Sequence, residues 1–141
     1  MEKNYDSLLL KNQLCFPLYA CARETIKLYK PYLDELDLTY TQYIAMMVLW
    51  EKNSLSVKEL GEALYLDSGT LTPLLKKMET KGLLTRRRST EDERSLLVSL
   101  TEEGLALRER ALSVPAQMAQ CIKLEPGEAA DLYRLLYKML K

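Results

Sequence analysis

The sequence contains no histidine, and this absence excludes several kinds of active site. Without an imidazole the chain cannot build a cysteine–histidine nucleophile pair, and no cluster of residues has the spacing of a metal site. Internal repeats, low-complexity segments and linkers are also missing, so one domain spanning residues 1–141 is expected. The sequence therefore predicts a protein that is not an enzyme and needs no cofactor or metal.

Long apolar runs are missing too. The stretch MEKNYDSLLLKNQ has only three consecutive leucines between polar residues, which fits neither a signal peptide nor a membrane span. We therefore expect a cytoplasmic protein without a membrane partner, in a compartment that keeps thiols reduced. The odd set of Cys15, Cys21 and Cys121 should accordingly be resting thiols.

An excess of one charge is absent over the whole chain, because 20 basic residues balance 20 acidic ones. This balance argues against a protein that coats nucleic acid over its entire surface. The basic charge is local, since residues 76–94 hold seven basic and four acidic side chains. One basic face that contacts phosphates fits this distribution.

Apolar residues with helical spacing run from Leu8 to about Leu33 in two stripes. They predict a long helix buried on two sides, in which Pro17 and Pro31 can cause kinks. The run YTQYIAMMVLWEKN, residues 40–53, predicts a second, mostly buried helix.

The most informative stretch, residues 54–82, predicts two short helices joined by a tight turn. Ser56 and Glu59 form a capping box for the first helix, and Asp67 is the N-cap of the second. Gly82 should end the second helix at its C′ position. Its core-facing residues are expected to be Leu71, Leu74, Leu75 and Met78. Its outward polar residues are expected to be Ser68, Thr70, Thr72, Lys76 and Lys77.

The segments LLTRRR and LLVSL then predict a β-hairpin whose tip is the charged loop STEDERS. A helix pair followed by a two-stranded wing reads duplex DNA, with the second helix in the major groove and the wing at the backbone or minor groove. Arg86, Arg88, Asp92 and Arg94 are therefore expected to take part in DNA binding. A merely solvated charged hairpin is the alternative, which the adjacent helix pair disfavours.

The C-terminal third predicts two more helices. Thr101 should cap a long helix that runs towards Cys121, and Pro126 suits the first turn of a final helix. The apolar face of that final helix is expected to be Leu132, Leu135, Leu136 and Met139. Together with residues 8–33, this face is more apolar surface than one small domain covers, which predicts a homodimer. The resulting fold is mainly α with a β-hairpin wing: a winged helix-turn-helix over about 54–100, with dimerisation helices over about 8–36 and 101–141.

The wing residues resemble a known signature, that of the MarR-type winged-helix repressors. The pattern consists of Asp92, Arg94, Val98, Leu100, Thr101 and Gly104. The segments LCFPLYACARE, LTYTQYIAMMVLWE, LYLDSGTLTPLLKKME and STEDERS are similar to the organic hydroperoxide resistance regulators within that family. The resemblance implies a homodimer that represses a peroxidase gene from an inverted-repeat operator, and that releases DNA when organic hydroperoxides oxidise a cysteine.

A sensing thiol must be ionised and reachable, and without histidine its stabilisation must come from other donors, a helix N-terminus or a cation. Cys15 is the expected sensor, because the following segment is rich in tyrosines whose hydroxyls can donate. The expected hydrogen-bond partners of the sensor are Tyr19, Tyr29 and Tyr40. The resemblance implies that Tyr29 and Tyr40 reach the sensor from the partner subunit.

Different roles are expected for the two other cysteines. The resemblance implies that Cys121 is the resolving cysteine of the two-cysteine branch, which forms an intersubunit disulfide. In the one-cysteine branch a small thiol caps the oxidised sensor instead, and this outcome stays open. Cys21 is expected to be an inert core residue.

Three other functions remain as alternatives. A MarR-type repressor released by a small aromatic ligand would bind DNA without responding to thiol oxidation. A thiol peroxidase would need an active-site motif, such as a threonine and an arginine around the cysteine, which the sequence lacks. A purely structural dimerisation module would leave the helix pair and the wing unexplained. The operator sequence, the regulated gene and the preferred oxidant are not readable from these residues.

Overall fold

The computed structural model describes residues 2–91 and 95–141, as seven α-helices and one small sheet. The helices are α1 (Cys15–Asp34), α2 (Tyr40–Lys52), α3 (Val57–Leu64), α4 (Ser68–Thr80), α5 (Glu102–Ala111), α6 (Val114–Cys121) and α7 (Pro126–Leu140). The strands are β1 (Ser54–Ser56), β2 (Leu84–Arg88) and β3 (Leu96–Leu100). This arrangement confirms a mainly helical fold with a helix pair and a β wing.

The first helix is shorter than its apolar pattern predicts, since it begins at Cys15 and not at Leu8. Before it, residues 6–12 form two 3-10 turns. The side chains of Asn12 and Gln13 donate to the main-chain carbonyls of residues 6, 7 and 9 at 2.7–2.8 Å. Such local bonds compete with the helical ladder, and they give this segment a structure of its own.

The two prolines of the first helix do not interrupt it. Pro17 lies in the first turn, where a missing N–H leaves no helical bond unmade. Pro31 lies inside the helix near its end, and α1 nevertheless continues to Asp34. The kinks that the sequence allows therefore do not divide this helix.

Pro115 has the opposite effect on the long helix expected between Thr101 and Cys121. The structure divides that helix into α5 and α6 at residues 112–113. A proline lacks the N–H that would bond to the carbonyl of Ala111, and its ring crowds that carbonyl. A new helix therefore starts here, with Pro115 in its first two positions.

The helix caps lie where the sequence predicts them. Ser56 Oγ accepts the N–H of Glu59 at 3.0 Å, and the Glu59 carboxylate accepts the N–H of Ser56 at 3.4 Å. Asp67 and Thr101 each accept a bond from the backbone N–H three residues on, at 2.8 and 3.0 Å. Gly82 follows α4 with a φ of 81°, the left-handed conformation that suits a C′ glycine.

The sheet has one strand more than the predicted hairpin. All its pairs are antiparallel and the strand order is β1-β3-β2. Leu55 of β1 and Arg86 of β2 both lie opposite the buried Val98 of β3. The strand β1 has only three residues, which is too short for an alternating pattern to reveal.

The core lies around α2, α4, the sheet and the inner sides of α5 and α6. Its largest fully buried side chains are Leu33, Met46, Leu49, Leu60, Leu71, Leu75, Met78, Leu84 and Val98. Within the single chain, α1 buries Leu33 alone and α7 buries none of its residues. The prediction that α1 is buried on two sides is therefore wrong for one chain. No helix in the described ranges is long and apolar enough to cross a membrane.

Candidate redox site and nucleic-acid interface

The helix pair α3–α4 forms the first candidate surface. Tyr65 ends α3 in the left-handed conformation, with a φ of 57°. A Cβ on Gly61 would lie 2.7 Å from the main-chain oxygen of Leu66, so glycine permits the chain to fold back closely here. On α4, Leu71, Leu75 and Met78 are buried and Leu74 is half-buried. The expected inner face of the second helix is therefore confirmed.

The opposite face of α4 is exposed and carries hydroxyl and ammonium groups. Its exposed residues include all those expected on the outer face: Ser68, Thr70, Thr72, Lys76 and Lys77. Lys76 and Lys77 line a shallow depression together with Thr80 and Lys81. At the helix start, the bond from the N–H of Thr70 holds the pKa of the Asp67 carboxyl below its ordinary value. This surface can donate hydrogen bonds and neutralise phosphates.

The wing places its charged residues in different surroundings. Arg86 points towards α4: its guanidinium donates to Glu79 Oε1 at 3.2 Å and its backbone N–H donates to Oε2 at 2.9 Å. Its side chain is only 18% exposed and links the wing to the helix in this structure, so its expected role in DNA binding stays a prediction. Arg88 is exposed on β2. Asp92 and Arg94 lie outside the described residues, so their expected roles stay predictions.

Cys15 is exposed and is the first residue of α1, a helix of 20 residues. The backbone N–H groups of a helix start have no helical partners, and this end favours negative charge. The thiol is therefore reachable and lies at the start of a helix. Tyr29 is 14 positions further along the same helix, about 21 Å away along its axis. It does not reach the Cys15 of its own chain.

Three phenols meet near the end of α1. The ring centroids of Tyr29 and Tyr40 lie 4.9 Å apart, and Tyr43 lies 5.8 Å from Tyr29 and 6.4 Å from Tyr40. Burial raises the pKa of all three phenols, so they stay protonated and able to donate at neutral pH. The structure thus brings two of the expected sensor partners together and adds Tyr43, which the sequence did not single out.

Tyr19 does not belong to this cluster. It is 58% exposed on the first part of α1. Arg23 donates to its hydroxyl at 3.4 Å, and the guanidinium carbon lies 5.6 Å from the ring centroid. The expected role of Tyr19 beside the sensor therefore has no support from the contacts of the single chain.

Cys121 occupies a site that the sequence did not predict. It is the last residue of α6, it is half-buried, and its Sγ lies 3.8 Å from the hydroxyl of Tyr32 on α1. Its thiol also donates to the main-chain oxygen of Gln117 at 3.6 Å. The hydrogen bond with Cys121 raises the pKa of Tyr32. The only hint in the sequence was the abundance of tyrosines between residues 19 and 43.

Cys21 is exposed on α1, so its expected place in the core is wrong for the single chain. It lies among a large set of exposed apolar side chains on α1 and α7 and on the segments beside them. Members of this set that are at least 40% exposed include Leu8, Leu10, Leu14, Phe16, Leu18, Ile26, Leu28, Ile122, Leu132, Tyr133, Leu135, Tyr137, Met139 and Leu140. Exposed apolar side chains in this number are typical of a surface that a partner covers. Among the described residues, no group of three or more possible metal ligands is assembled.

Comparison with known proteins decides the family. The family described as transcriptional regulator SarA/Rot matches residues 27–110. The organic hydroperoxide resistance transcriptional regulator of Bacillus subtilis is 52% identical over 141 residues, covering 100% of this chain and 96% of the relative. MarR of E. coli, solved as a mutant complexed with operator DNA, superimposes with a TM-score of 0.85 at 26% identity, covering 99% of this chain and 100% of MarR. The chain belongs to the MarR family of winged-helix transcriptional regulators.

A third MarR-type relative is known in three redox states: reduced, overoxidized and disulfide-formed. AbfR of Staphylococcus epidermidis in its reduced, DNA-bound form matches with a TM-score of 0.78 at 32% identity, covering 96% of this chain and 94% of AbfR. The disulfide-formed AbfR matches with a lower TM-score of 0.67 at 32% identity, covering 96% of both chains. The backbone of this MarR-family chain is therefore nearer to the reduced form of that relative than to its disulfide form.

Proposed function

We propose that this chain is a redox-sensing, DNA-binding repressor that releases its operator when organic hydroperoxides oxidise Cys15. The observation that carries the proposal is the combination of an exposed thiol at the start of α1 with a paired Tyr29–Tyr40 cluster near its far end. The relatives support it, since one is an organic hydroperoxide resistance regulator and another was solved reduced and bound to DNA.

The protein acts as a homodimer. A 15-residue helix such as α7 is marginal in water by itself, and its tertiary contacts in one chain bury none of its residues. A second copy that covers the exposed apolar faces of α1 and α7 supplies the missing burial. In such a dimer, two copies of α1 that run antiparallel bring Cys15 of one subunit to Tyr29 and Tyr40 of the other.

Oxidation then proceeds in two balanced steps. The Cys15 thiol attacks the peroxide, the O–O bond breaks, and the products are a sulfenic acid and the alcohol. Cys121 of the partner subunit then condenses with the sulfenic acid, giving a disulfide and one molecule of water. A bridge within one chain does not fit, because Cys121 contacts Tyr32, which is 17 residues and about 25 Å along α1 from Cys15.

DNA is bound by the outer face of α4 and by the wing. Ser68 and Thr70 donate near the helix start, and Lys76 and Lys77 neutralise phosphates. The Thr72 hydroxyl already donates to the main-chain oxygen of Ser68 at 2.8 Å, so Thr72 contacts DNA through its remaining acceptor capacity and its methyl group. Two recognition helices of a dimer enter successive major grooves about 34 Å apart, which suits an inverted repeat. Arg88 and the wing-tip residues Asp92 and Arg94 complete this interface, with Arg94 in the minor groove.

The chain works as a regulator and not as an enzyme, since each sensing thiol is oxidised once and then needs reduction. Its place of action is the cytoplasm, where thiols return to the reduced form. No bound cofactor takes part, because the hydroperoxide itself is the oxidant.

A gel-shift titration with the operator tests the proposal. Cys15→Ser protein should bind the operator as tightly as wild type, and it should stay bound when organic hydroperoxide is added. Cys21→Ser is the matched control, because it also removes an exposed α1 thiol, and it should release DNA like wild type. In Cys121→Ser the peroxide should still oxidise the Cys15 thiol. The oxidised Cys15 should then end as a sulfenate or a mixed disulfide.

One outcome contradicts the proposal directly. If Cys15→Ser protein leaves its operator as readily as wild type after peroxide treatment, thiol oxidation is not the switch. A repressor released by a small ligand then becomes the better description.

A further inference from the structure

The thiol of Cys121 is held between two groups of its own chain. It donates to the carbonyl of Gln117, and the hydroxyl of Tyr32 lies 3.8 Å from its sulfur. When the single thiol proton is donated to Gln117, the phenol is the donor in its contact with the sulfur. The same contact raises the pKa of Tyr32, which keeps that phenol protonated.

Tyr32 also lies next to the phenols expected to receive the sensor. It follows Tyr29 by three residues on α1, which is about 4.5 Å along the helix and on neighbouring positions of one face. The ring of Tyr29 packs against that of Tyr40 in a tilted arrangement, with the centroids 4.9 Å apart. The resolving thiol is therefore held about one turn from the phenol pair, although its residue is 89 positions away from Tyr32 in sequence.

We infer that Tyr32 is a positioning residue, which holds the Cys121 thiol at the dimer seam for attack on the oxidised Cys15 of the partner subunit. This inference rests on the proposed function, and it adds a residue that acts only in the second oxidation step. The sulfur must lose its proton to attack, and the Gln117 carbonyl can hold only the protonated thiol. The phenol hydroxyl donates to the sulfur both before and after that loss, so it keeps the nucleophile in place.

The step that Tyr32 assists is the condensation alone. The S–O bond of the Cys15 sulfenic acid breaks, the S–S bond to Cys121 forms, and the thiol proton leaves with the hydroxyl group as water. The first step, attack of Cys15 on the hydroperoxide, involves neither Cys121 nor Tyr32. Removal of the Tyr32 hydroxyl should therefore slow disulfide formation and leave the rate of sulfenate formation unchanged.

The experiment uses the full-length dimer and one equivalent of cumene hydroperoxide per Cys15. A dimedone trap measures sulfenate formation, and non-reducing electrophoresis with intact-mass spectrometry measures the Cys15–Cys121 disulfide. Tyr32→Phe should form sulfenate at the wild-type rate and disulfide about fivefold more slowly, the effect of one lost hydrogen bond. With free cysteine present, a larger share of the Cys15 sulfenate should end as mixed disulfide in Tyr32→Phe than in wild type. A general loss of stability would not cause this difference.

Controls make the test specific. Tyr65→Phe removes a hydroxyl from a tyrosine directly after α3 that is 60% exposed, and it should leave both rates unchanged. Tyr32→Leu also lacks the hydroxyl and should give the same slowing, which guards against a packing effect peculiar to one variant. Equal disulfide rates in wild type and Tyr32→Phe overturn the inference, and so does a slower sulfenate step. If wild type itself forms no Cys15 sulfenate, the proposed function fails before any variant is compared.

Discussion

Lys81 Nζ lies 3.0 Å from Gln42 Oε1, and this hydrogen bond joins the end of the recognition helix α4 to the start of α2. Gln42 is only 3% exposed, and its side chain also accepts the N–H of Thr39 in the capping box of α2. Tyr40, one of the two phenols proposed to receive the sensor, is the first residue of that helix. The Lys81–Gln42 bond thus connects the proposed DNA-reading helix directly to the helix that begins at the proposed redox site.

Replacing Lys81 should weaken this connection. In Lys81→Met the buried oxygen of Gln42 loses its charged donor, and the free energy of unfolding should fall by about 1 kcal/mol. Urea denaturation measures the change. Lys58→Met is the matched control, because Lys58 is an exposed lysine on α3, and its stability should match that of wild type within about 0.5 kcal/mol. Equal stabilities for the two variants would show that the bond is not formed in solution.

The Glu79–Arg86 ion pair predicts a pH dependence. Arg86 lowers the folded-state pKa of Glu79 below its ordinary value of 4.5, so the pair stabilises the fold above that pH. The contribution is lost as the pH falls through the lowered pKa, where the carboxylate becomes protonated. Glu79→Gln should therefore melt at a lower temperature than wild type at pH 7, and the two melting temperatures should converge as the pH falls through the lowered pKa of Glu79. A difference that persists in acid would assign the effect to something other than the charge.

A charge on the apolar face of α7 should weaken the proposed dimer interface. Leu135 is 47% exposed in the single chain and lies on the apolar face of that helix. A glutamate there loses the burial of a leucine in both subunits and places two charges at the seam, so Leu135→Glu should weaken the dimer at least about tenfold. Analytical ultracentrifugation measures the dissociation constant. Arg134→Glu changes the charge on the opposite side of the helix and should leave the dimer intact.

Salt dependence should identify the phosphate contacts of α4. Lys76→Ala removes one phosphate contact from each subunit, so the slope of log affinity against log salt should fall by about 0.9 per contact, or about 1.8 for the dimer. Fluorescence anisotropy with labelled operator at several salt concentrations measures the slope. Lys27→Ala is the control, because Lys27 is exposed on α1 and pairs with Glu24. A slope unchanged by Lys76→Ala would remove this residue from the interface.

The sequence by itself determined the local signals of this fold. Ser56, Asp67 and Thr101 cap helices, and Gly82 ends one, because each such residue acts on backbone groups within a few positions of itself. The helix pair, the wing and the family were readable for the same reason. Where two local signals compete, the sequence was ambiguous: apolar spacing predicted a helix from Leu8, while side-chain bonds to the backbone delay its start to Cys15.

The tertiary structure alone decided which side chains meet across the chain. Arg86 is one of three consecutive basic residues in the sequence, and only the packing of β2 against α4 pairs it with Glu79. Cys121 meets Tyr32 across 89 positions, and Lys81 meets Gln42 across 39. No periodicity encodes such pairs, because their distances depend on how whole helices pack. The same packing leaves α1 and α7 uncovered in one chain, which is why their burial requires a second copy.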